Sequence, residues 1–445
     1  MPEGQSSDKL KGDNIMIEST KAQKTPTDKT GFSSLTDTEV MKSESTFGAH
    51  HYRRLKTVVR RAEGAWLYTQ DGKKILDCLA AYSAANQGHN HPTIVAALVD
   101  ALQQRYGSVV SNVVYTDLLA SFLEKVATML PNLAPRFGGE GNKVLPKNGG
   151  VESVETAVKL ARYYGFHEKG IPDGKQEIIV FKNNFHGRMI TVISFSTNEH
   201  YKKGFGPLTP GFKAVDFGDL DGVESLMNEN TCGILVEPMQ GEGGMYPAPP
   251  GFLKGLRELA DKNDLLLIFD EIQVGLGRTG KMFCFEHENV IPDAIVLGKA
   301  ISGGLVPVSV MVTSAELMDM AFSPGSDGST FGGYPLACAA GIAALGVIED
   351  EKLADRSASM GKILKNRILD IASRSSHVKE VRGEGLFIGI EVKNGNAMEF
   401  CSKLLEMDML ANDSHHHTIR ISPPLIIGDS EIDYICERLE KVLVD

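Results

Sequence analysis

The sequence predicts an α/β fold in which a large domain, built on a mostly parallel sheet with helices on both faces, precedes a smaller α+β domain. Two observations support this prediction. From residue 144 to 314, short apolar strands alternate with helices, which is typical of a parallel sheet that is covered on both sides. From about residue 336 the order changes to helix, helix, strand, helix, strand and a last helix, which indicates a separate α+β domain.

Composition and charge exclude several classes of protein. The chain has 445 residues, of which 42% are hydrophobic and 23% charged, enough for two or three domains with large cores. A formal net charge of −11 argues against a nucleic acid or an anionic membrane as a partner. The six cysteines lack CxxC spacing, so we expect reduced thiols in an intracellular protein rather than a zinc site or a disulfide framework.

The first 45 or so residues are polar and are expected to stay flexible, because ordering them would bury too little apolar surface. They contain many acidic residues and no arginine, since the first arginine is Arg53. A mitochondrial presequence is rich in arginine and poor in acids, and a signal peptide needs an apolar core. The cytoplasm is therefore expected, with the mitochondrial matrix as the alternative.

Four segments are expected along the chain. They are a flexible extension at 1–45, a segment at 46–95 that packs with the small domain, a large cofactor-binding domain at 96–335 and a small domain at 336–445. Within the second segment, alternating apolar residues flank Asp71-Gly72, which predicts a hairpin turn, and Pro92 introduces an amphipathic helix over 93–105.

In the large domain, the expected strands are 177–181, 232–236, 265–270, 294–297 and 308–313. Helices are expected over 151–164, closed by Gly165, and over 252–262. Residues 131–143 are rich in proline and glycine and predict a surface insertion. The small domain is expected to carry strands at 386–392 and 418–421.

Lys299 directly follows the strand at 294–297 and precedes a loop of small residues. An amine in such a place is partly desolvated, so that its pKa falls and its nucleophilicity rises. Asp270 ends a second buried strand. The two residues suit pyridoxal phosphate (PLP), because a lysine can bind it as a Schiff base and an aspartate can keep its pyridine nitrogen protonated. A buried Asp–Lys ion pair, or two unrelated strand ends, is the alternative.

Two glycine-rich patterns overlap at 275–282, and neither is expected to bind a nucleotide. The P-loop pattern fails because Met282 stands where a Ser or Thr should hold magnesium. The dinucleotide pattern GxGxxG fails because residues 281–285 look extended rather than helical. The preferred phosphate site is 148–152, where small residues open a helix and leave N–H groups free for an anion. A plain helix cap is the alternative there.

Two further segments carry candidate side chains. Phe185 offers an aromatic face for a cofactor ring, and Arg188 can grip a carboxylate. Glu237 and Glu242 bring two carboxylates to the end of another strand. A solvated loop is the alternative for both segments. The three histidines at 415–417 lack a fourth ligand and metal-type spacing, so a polar loop is expected there rather than a metal site.

Together these segments resemble the class III (omega) aminotransferases, which are PLP enzymes of fold type I. The similarity runs from about Gly48 to the C-terminus. The motifs that carry it are residues 48–52, 81–92, 144–146, 184–188, 237–242, 270–280, 299–304 and 328–333. The chain departs from the family at Gly149, where Thr or Ser is usual, and at Phe331 and Tyr334, which replace a usual Tyr and Asn.

The resemblance implies a role for each candidate residue. Lys299 binds the cofactor and shuttles a proton, and Asp270 pairs with the pyridine nitrogen. The other implied cofactor contacts are ring stacking by Phe185, a contact of Gln273 with the phenolic oxygen, and phosphate contacts from Gly150, Val151 and Thr330, the last from the partner subunit. The implied substrate contacts are Tyr52 and Tyr82 on the amine donor, Arg188 on a carboxylate, and Glu242 masking Arg420 in one half-reaction.

The implied reaction is a ping-pong transfer from ornithine to 2-oxoglutarate, giving glutamate-5-semialdehyde and glutamate, in a homodimer with shared active sites. The partners are therefore small amino acids and 2-oxo acids, with no metal, nucleic acid or membrane. 4-Aminobutyrate or N-acetylornithine is the alternative donor. The alternative from another class is a non-catalytic PLP-fold protein used for binding or regulation.

Overall fold

The structure is a computed structural model that describes residues 35–138 and 141–444. Most of the predicted flexible extension lies outside these residues. The chain divides into a short N-terminal unit that ends at Val58 and a large unit from Val59 onward. The N-terminal unit contains helix α1 (Asp37–Phe47), which begins with a capping box between Thr36 and Glu39.

The large unit interleaves strands and helices along its whole length. The strands are β1 (Arg61–Glu63), β2 (Trp66–Tyr68), β3 (Lys74–Asp77), β4 (Asn142–Lys147), β5 (Glu177–Phe181), β6 (Phe212–Val215), β7 (Thr231–Val236), β8 (Met239–Gln240), β9 (Tyr246–Pro247), β10 (Leu266–Asp270), β11 (Ala294–Leu297), β12 (Ser309–Ser314), β13 (Val378–Glu384), β14 (Phe387–Val392), β15 (Met409–Leu410), β16 (Asn412–Ser414) and β17 (Thr418–Ile421). The helices are α2 (Ala80–Ser83), α3 (Pro92–Gln103), α4 (Asp117–Met129), α5 (Gly150–His167), α6 (Ile190–Ser194), α7 (Glu199–Lys202), α8 (Leu220–Leu226), α9 (Phe252–Lys262), α10 (Ala315–Ala321), α11 (Pro335–Asp350), α12 (Leu353–Ser373), α13 (Ala397–Glu406) and α14 (Asp429–Leu443).

The main sheet has seven strands in the order β4-β12-β11-β10-β7-β5-β6. Strand β12 runs antiparallel to both of its neighbours, and the other neighbouring strands are parallel, so the prediction of a mostly parallel sheet is confirmed. Every residue of β7, β10 and β11 is buried. This is expected for parallel strands whose two faces are both covered by helices.

Strand β10 shows how the sheet separates two apolar cores. Leu267 and Phe269 belong to one cluster of buried side chains, whereas Leu266 and Ile268 belong to the other. Successive side chains of a strand point to opposite faces, so a continuous apolar run fills both cores at once. The strand thereby fixes Asp270 at its carboxyl end.

Two smaller sheets bring together distant parts of the chain. Strands β13, β14, β17 and β16 form an antiparallel sheet that carries Arg420. The predicted hairpin is confirmed, because β2 and β3 pair antiparallel across residues 69–73. Strand β3 then pairs parallel with β15 near the C-terminus. The large unit is continuous from Val59, and the predicted boundary near residue 335 stays a prediction.

The structure differs from the expected elements in three places. Helix α5 does not end at Gly165 but continues to His167. The glycine serves packing rather than termination, because a Cβ at Gly165 would lie 2.6 Å from the Cβ of Cys232. Strand β4 was not among the expected strands; it contains Pro146, which is tolerated because β4 is an edge strand. The described part of the 131–143 segment is not simply a surface insertion, because Leu133 and Ala134 are buried.

Among the described residues, no helix combines the length and the apolar character that crossing a membrane requires.

Candidate active site

A cavity of about 490 Å³ lies where the carboxyl ends of β10 and β11 meet the start of α5. This is the edge at which open α/β sheets bind ligands. Seven predicted site residues line the cavity: Gly150, Val151, Phe185, Arg188, Asp270, Gln273 and Lys299. The structure therefore brings together side chains that lie up to about 150 positions apart in the sequence.

Lys299 is the first residue of a short 3-10 turn that directly follows β11. Its backbone has a φ of 48°, in the left-handed region that non-glycine residues rarely adopt. Removal from water is the main cause that lowers the pKa of Lys299 to about 8; the charge of Glu242 opposes this shift, and that of Arg420 adds to it. A substantial fraction of the amine is therefore neutral, and hence nucleophilic, near physiological pH.

Asp270 is buried and forms a pair with a histidine to which no role was assigned from the sequence. The Nδ1 of His186 lies 2.6 Å from Oδ2 of Asp270, while Oδ1 accepts the backbone N–H of Ile272 at 3.0 Å. Burial pushes the pKa of His186 down, but the hydrogen bond and charge of Asp270 outweigh it and the pKa is raised. The hydrogen bond therefore joins the carboxylate of Asp270 to a histidine of raised pKa. The only sequence signal was its position between Phe185 and Arg188.

Glu237 is a second buried group without a predicted role. Its carboxylate accepts the backbone N–H of Phe185 at 3.0 Å and that of Gly241 at 3.3 Å. Burial raises the pKa of Glu237 to about 7, partly opposed by the charge of His186. Glu237 therefore ties the aromatic residue of the cavity to the loop that carries Glu242.

The start of α5 is both a cap and an open anion site. The Glu152 side chain accepts the N–H groups of Gly149 and Asn148, at 2.5 and 3.1 Å, which is the capping arrangement. The N–H groups of Gly150 and Val151 have no acceptor among the described residues, and both residues line the cavity. A Cβ at Gly150 would lie 2.9 Å from Cδ1 of Ile272, so the Ile272 side chain would have to shift to make room for it.

Arg188 lies over two aromatic rings at the edge of the cavity. Its guanidinium carbon is 3.8 Å from the ring centroid of Tyr201 and 5.3 Å from that of Phe185. It forms no ion pair with any residue that the structure describes. Stacking of this kind holds the guanidinium in place while its N–H groups stay available for a carboxylate.

Arg420, on β17, is fully buried and forms an ion pair with Glu242. With its amide oxygen facing the two cations, Gln273 accepts hydrogen bonds from Arg420 at 2.9 Å and from Lys299 at 3.1 Å. Burial pushes the pKa of Glu242 up, but the charge and hydrogen bond of Arg420 outweigh it, and the pKa is lowered. The pair is therefore ionised at neutral pH and is coupled through Gln273 to the amine of Lys299.

Tyr82 belongs to the single turn α2, which is left-handed. Four successive residues, from Ala80 to Ser83, have φ values between 45° and 74°. The turn places the ring of Tyr82 4.9 Å from the guanidinium carbon of Arg420, and its hydroxyl accepts a hydrogen bond from Asn412 at 3.1 Å. Backbone strain of this kind is characteristic of binding sites.

Four predicted site residues of the large unit, Tyr82, Glu242, Arg420 and Thr330, do not line the cavity, although Arg420 contacts Gln273, which does. Thr330 is exposed. Tyr52 belongs to the N-terminal unit, so its role stays a prediction.

The structure also places the two remaining motifs, the glycine-rich segment and the histidines at 415–417. In the glycine-rich segment, Arg278 is buried and donates to Asn86, Leu386 and Pro423, so it joins distant chain segments. The histidines at 415–417 form a turn, and the described residues contain no group of three potential metal ligands.

Comparison with known proteins agrees with this geometry. A family model described as aminotransferase class-III matches residues 47–443. Ornithine aminotransferase 2 of Staphylococcus aureus strain Mu50 is 46% identical over 404 residues, which cover 91% of this chain and 98% of the relative. Ornithine aminotransferase of Brevibacillus brevis is 43% identical with the same coverage.

Solved structures agree as well. Ornithine aminotransferase from Toxoplasma gondii, described with partial occupancy of PLP at its active site, has a TM-score of 0.88 at 35% identity and covers 95% of this chain and 98% of its own. Acetylornithine aminotransferase from Elizabethkingia anophelis has a TM-score of 0.80 at 37% identity, covering 92% and 98%. The predicted fold is confirmed, and the chain belongs to the class III aminotransferases, a family of PLP-dependent enzymes of fold type I.

Proposed function

We propose that this aminotransferase moves the δ-amino group of ornithine to 2-oxoglutarate, forming glutamate-5-semialdehyde and glutamate. The Glu242–Arg420 ion pair carries the proposal, because it lies beside the reactive amine and joins it through Gln273. The names of the relatives at 43–46% identity support the same donor.

The residues of the cavity fit PLP. One space is lined by an amine of lowered pKa, a carboxylate that is hydrogen-bonded to a histidine, and two unpartnered N–H groups at a helix start. When bound, PLP supplies an aldehyde that can take up an amino group and a ring that withdraws electrons. We assign Lys299 to the aldehyde, Asp270 to the pyridine nitrogen, and Gly150 and Val151 to the phosphate. Phe185 provides the aromatic face, and Gln273 contacts the phenolic oxygen.

Lys299 is also the group that moves protons. Its pKa of about 8 lies close to the working pH, so the same Nζ can accept a proton from one carbon and return it to another. Asp270, held by its hydrogen bond with His186, would stabilise positive charge on the ring nitrogen. Arg188 holds a substrate carboxylate bidentately from its place over Tyr201 and Phe185.

The two substrates make opposite demands on Arg420. Ornithine presents its δ-amine and must keep its distant α-carboxylate away from the cofactor, whereas glutamate presents an α-amine with a carboxylate beside it. While Glu242 pairs with Arg420, the guanidinium is neutralised and ornithine lies in the productive pose. When the pair opens, Arg420 binds the α-carboxylate of glutamate. Tyr82, next to Arg420, and Tyr52 orient the donor.

N-acetylornithine and 4-aminobutyrate remain the alternative donors, and the resemblance to acetylornithine aminotransferase favours testing the first directly. We expect kcat/KM with 2-oxoglutarate to be at least about tenfold higher for ornithine than for either alternative, a difference of about 1.4 kcal/mol in transition-state binding. Steady-state rates on the three amines measure this. An equal or higher value for N-acetylornithine would contradict the proposed donor.

The proposed enzyme is a homodimer with shared active sites. Val113, Val114 and Tyr115 form a run of large, exposed apolar side chains, which a second copy of the chain would cover. Asn112 donates to the backbone oxygen of Ser329 at 2.8 Å, so this run adjoins the segment that carries Thr330. We also propose a reducing compartment, the cytoplasm, supported by the six cysteines, each of them buried and free.

A further inference from the structure

The turn that carries Tyr82 has a strained backbone. Its four residues, Ala80 to Ser83, all have positive φ, although none of them is glycine. Each such residue costs conformational free energy, and the left-handed region is usually occupied by single residues rather than by a run of them. Contacts from outside the turn must therefore stabilise this conformation.

The carboxylate of Asp77 makes the contacts at the start of the turn. Asp77 ends β3 and is 3% exposed. Its Oδ1 accepts the backbone N–H groups of Leu79 and Ala80, at 2.8 and 3.1 Å, where the turn begins. Its Oδ2 lies 2.7 Å from Nε2 of His89. One buried carboxylate thus joins the start of the turn to a residue beyond its end.

His89 is itself fixed through its backbone. Its N–H donates to the oxygen of Gly64 at 2.7 Å, and the N–H of Gly64 donates back to the oxygen of His89 at 3.0 Å. The side chain of His89 is 18% exposed, so its hydrogen bond with Asp77 is largely shielded from water and is strengthened by that. His89 belongs to the motif at 81–92, and no step of the proposed reaction uses it.

The strand that carries Arg420 holds the same loop from the other side. The backbone N–H of Ser422, two positions after Arg420, donates to the oxygen of Cys78 at 2.7 Å. The loop is therefore fixed at both sides where the ring of Tyr82 meets the guanidinium of Arg420. Arg420 in turn reaches the cavity through Gln273 of the same chain.

We propose that Asp77 and His89 are positioning residues for the substrate, which keep the ring of Tyr82 against Arg420. Ala84, directly after the turn, lines the cavity, so the turn and the arginine border one and the same site. The inference rests on the proposed roles of Tyr82 and Arg420 with ornithine and glutamate. Without Asp77, two N–H groups lose their acceptor and the turn relaxes toward ordinary backbone conformations, which moves Tyr82 away from the arginine.

The test is a double-variant cycle that combines Asp77→Ala with Tyr82→Ala in the full-length holoenzyme. Single-turnover half-reactions with ornithine give the half-saturating concentration and the rate at saturation of each variant. Asp77→Asn, which keeps an oxygen for the two N–H groups, tests rescue. The matched control is His91→Phe, which breaks a second histidine–carboxylate pair, with Glu351, only two positions further along the chain. Thermal midpoints show which variants fold, and His89→Phe takes the place of Asp77→Ala in the cycle if that variant does not.

We expect Asp77→Ala to raise the half-saturating concentration of ornithine about tenfold, the effect of losing one hydrogen bond to a charged group, and to leave the rate at saturation within about threefold. His89→Phe should raise this concentration about threefold, since the two backbone hydrogen bonds remain. In the Tyr82→Ala background, either substitution should change it by less than about twofold, because the residue that they position is gone. Asp77→Asn and the His91→Phe control should both stay within about twofold of the wild type.

Equal changes in the two backgrounds overturn the inference, because Asp77 and His89 then act through another group. A half-saturating concentration that Asp77→Ala leaves unchanged overturns it as well, and so does an Asp77→Asn variant as impaired as Asp77→Ala. A wild type that reacts with glutamate but not with ornithine would contradict the proposed donor instead. The cycle is then measured with glutamate, whose α-carboxylate is assigned to the same Arg420.

Discussion

The carboxylate of Asp270 and the imidazole of His186, 2.6 Å apart, form a unit that lines the cavity. Replacing Asp270 with Ala removes the counter-charge of the proposed ring nitrogen. We expect turnover to fall roughly a hundredfold or more, as when a preorganised electrostatic partner is lost. Single-turnover rates with ornithine measure the loss. A fall of less than about threefold would mean that the cofactor lies elsewhere in the cavity.

The lowered pKa of Lys299 leads to a second prediction, about the pH dependence of PLP uptake. Only the neutral amine can attack the cofactor, so the rate at which apoenzyme takes up PLP should rise about tenfold per pH unit below pH 8 and level off above it. An ordinary lysine would let the rate climb until about pH 10. Stopped-flow absorbance across this range distinguishes the two. In Glu242→Gln, which lacks a carboxylate that raises this pKa, the midpoint should move to lower pH.

Among single residues, those with a distinctive local sequence could be predicted. Those whose role depends on contacts made in the fold could not. Lys299 and Asp270 end buried apolar runs, and the composition around them indicates desolvation. His186 acts through Asp270, 84 positions away, and Glu237 acts through Phe185, 52 positions away. No local pattern of the sequence encodes these contacts. Tyr201 is placed against Arg188 only by the fold.

Among the elements, β17 and the loop after β8 bring Arg420 and Glu242 together, and their pairing can be tested directly. Glu242→Ala leaves Arg420 permanently available for a carboxylate. We expect the glutamate half-reaction to hold steady or speed up, and the ornithine half-reaction to slow, because ornithine is drawn into the wrong pose. Following the absorbance of the bound cofactor in single turnovers measures each half separately. If both halves slow equally, the pair is only structural.

Helices α5 and α11 offer a matched pair of glycines. Gly165→Ala should destabilise the protein by about 1–3 kcal/mol, because its Cβ would overlap Cys232. Gly346→Ala, in α11, should stabilise it by about 0.4–1 kcal/mol, since nothing lies within 4 Å of the new Cβ and alanine restricts the unfolded chain. Thermal midpoints of the two variants should therefore move in opposite directions. Two shifts of the same sign would show that space around the Cβ does not decide the effect.

The long buried elements were the predictable ones. Strands β5, β7, β10 and β11 carry continuous apolar runs, and α9 covers the same range that its apolar spacing indicates. Short or edge elements depend on neighbours that the sequence does not show. Pro146 argues against a strand by itself, and only the edge position of β4 makes it acceptable.

On the scale of the whole molecule, the apolar run at Val113–Tyr115 predicts association. We expect a native mass of twice the 48.2 kDa of one chain. We also expect Tyr115→Asp to shift the protein toward monomers and to reduce activity, because the substitution would bury a charge in the interface. Ile363→Asp, at an exposed apolar position on α12, is the control. Light scattering after size-exclusion chromatography measures the masses. A monomeric, fully active wild type would disprove the shared active sites.

The parallel pairing of β3 with β15 joins Leu76 to Met409, a separation of 409 − 76 = 333 residues. During synthesis, the free edge of β3 therefore stays unpaired until those residues are made. Making them takes on the order of tens of seconds at typical translation rates. An unpaired strand edge invites association with other chains during that interval. Premature release of the nascent chain before Met409 should thus yield aggregates rather than a smaller folded product. Strand β3 therefore gains its second neighbouring strand only after residue 410 has been made.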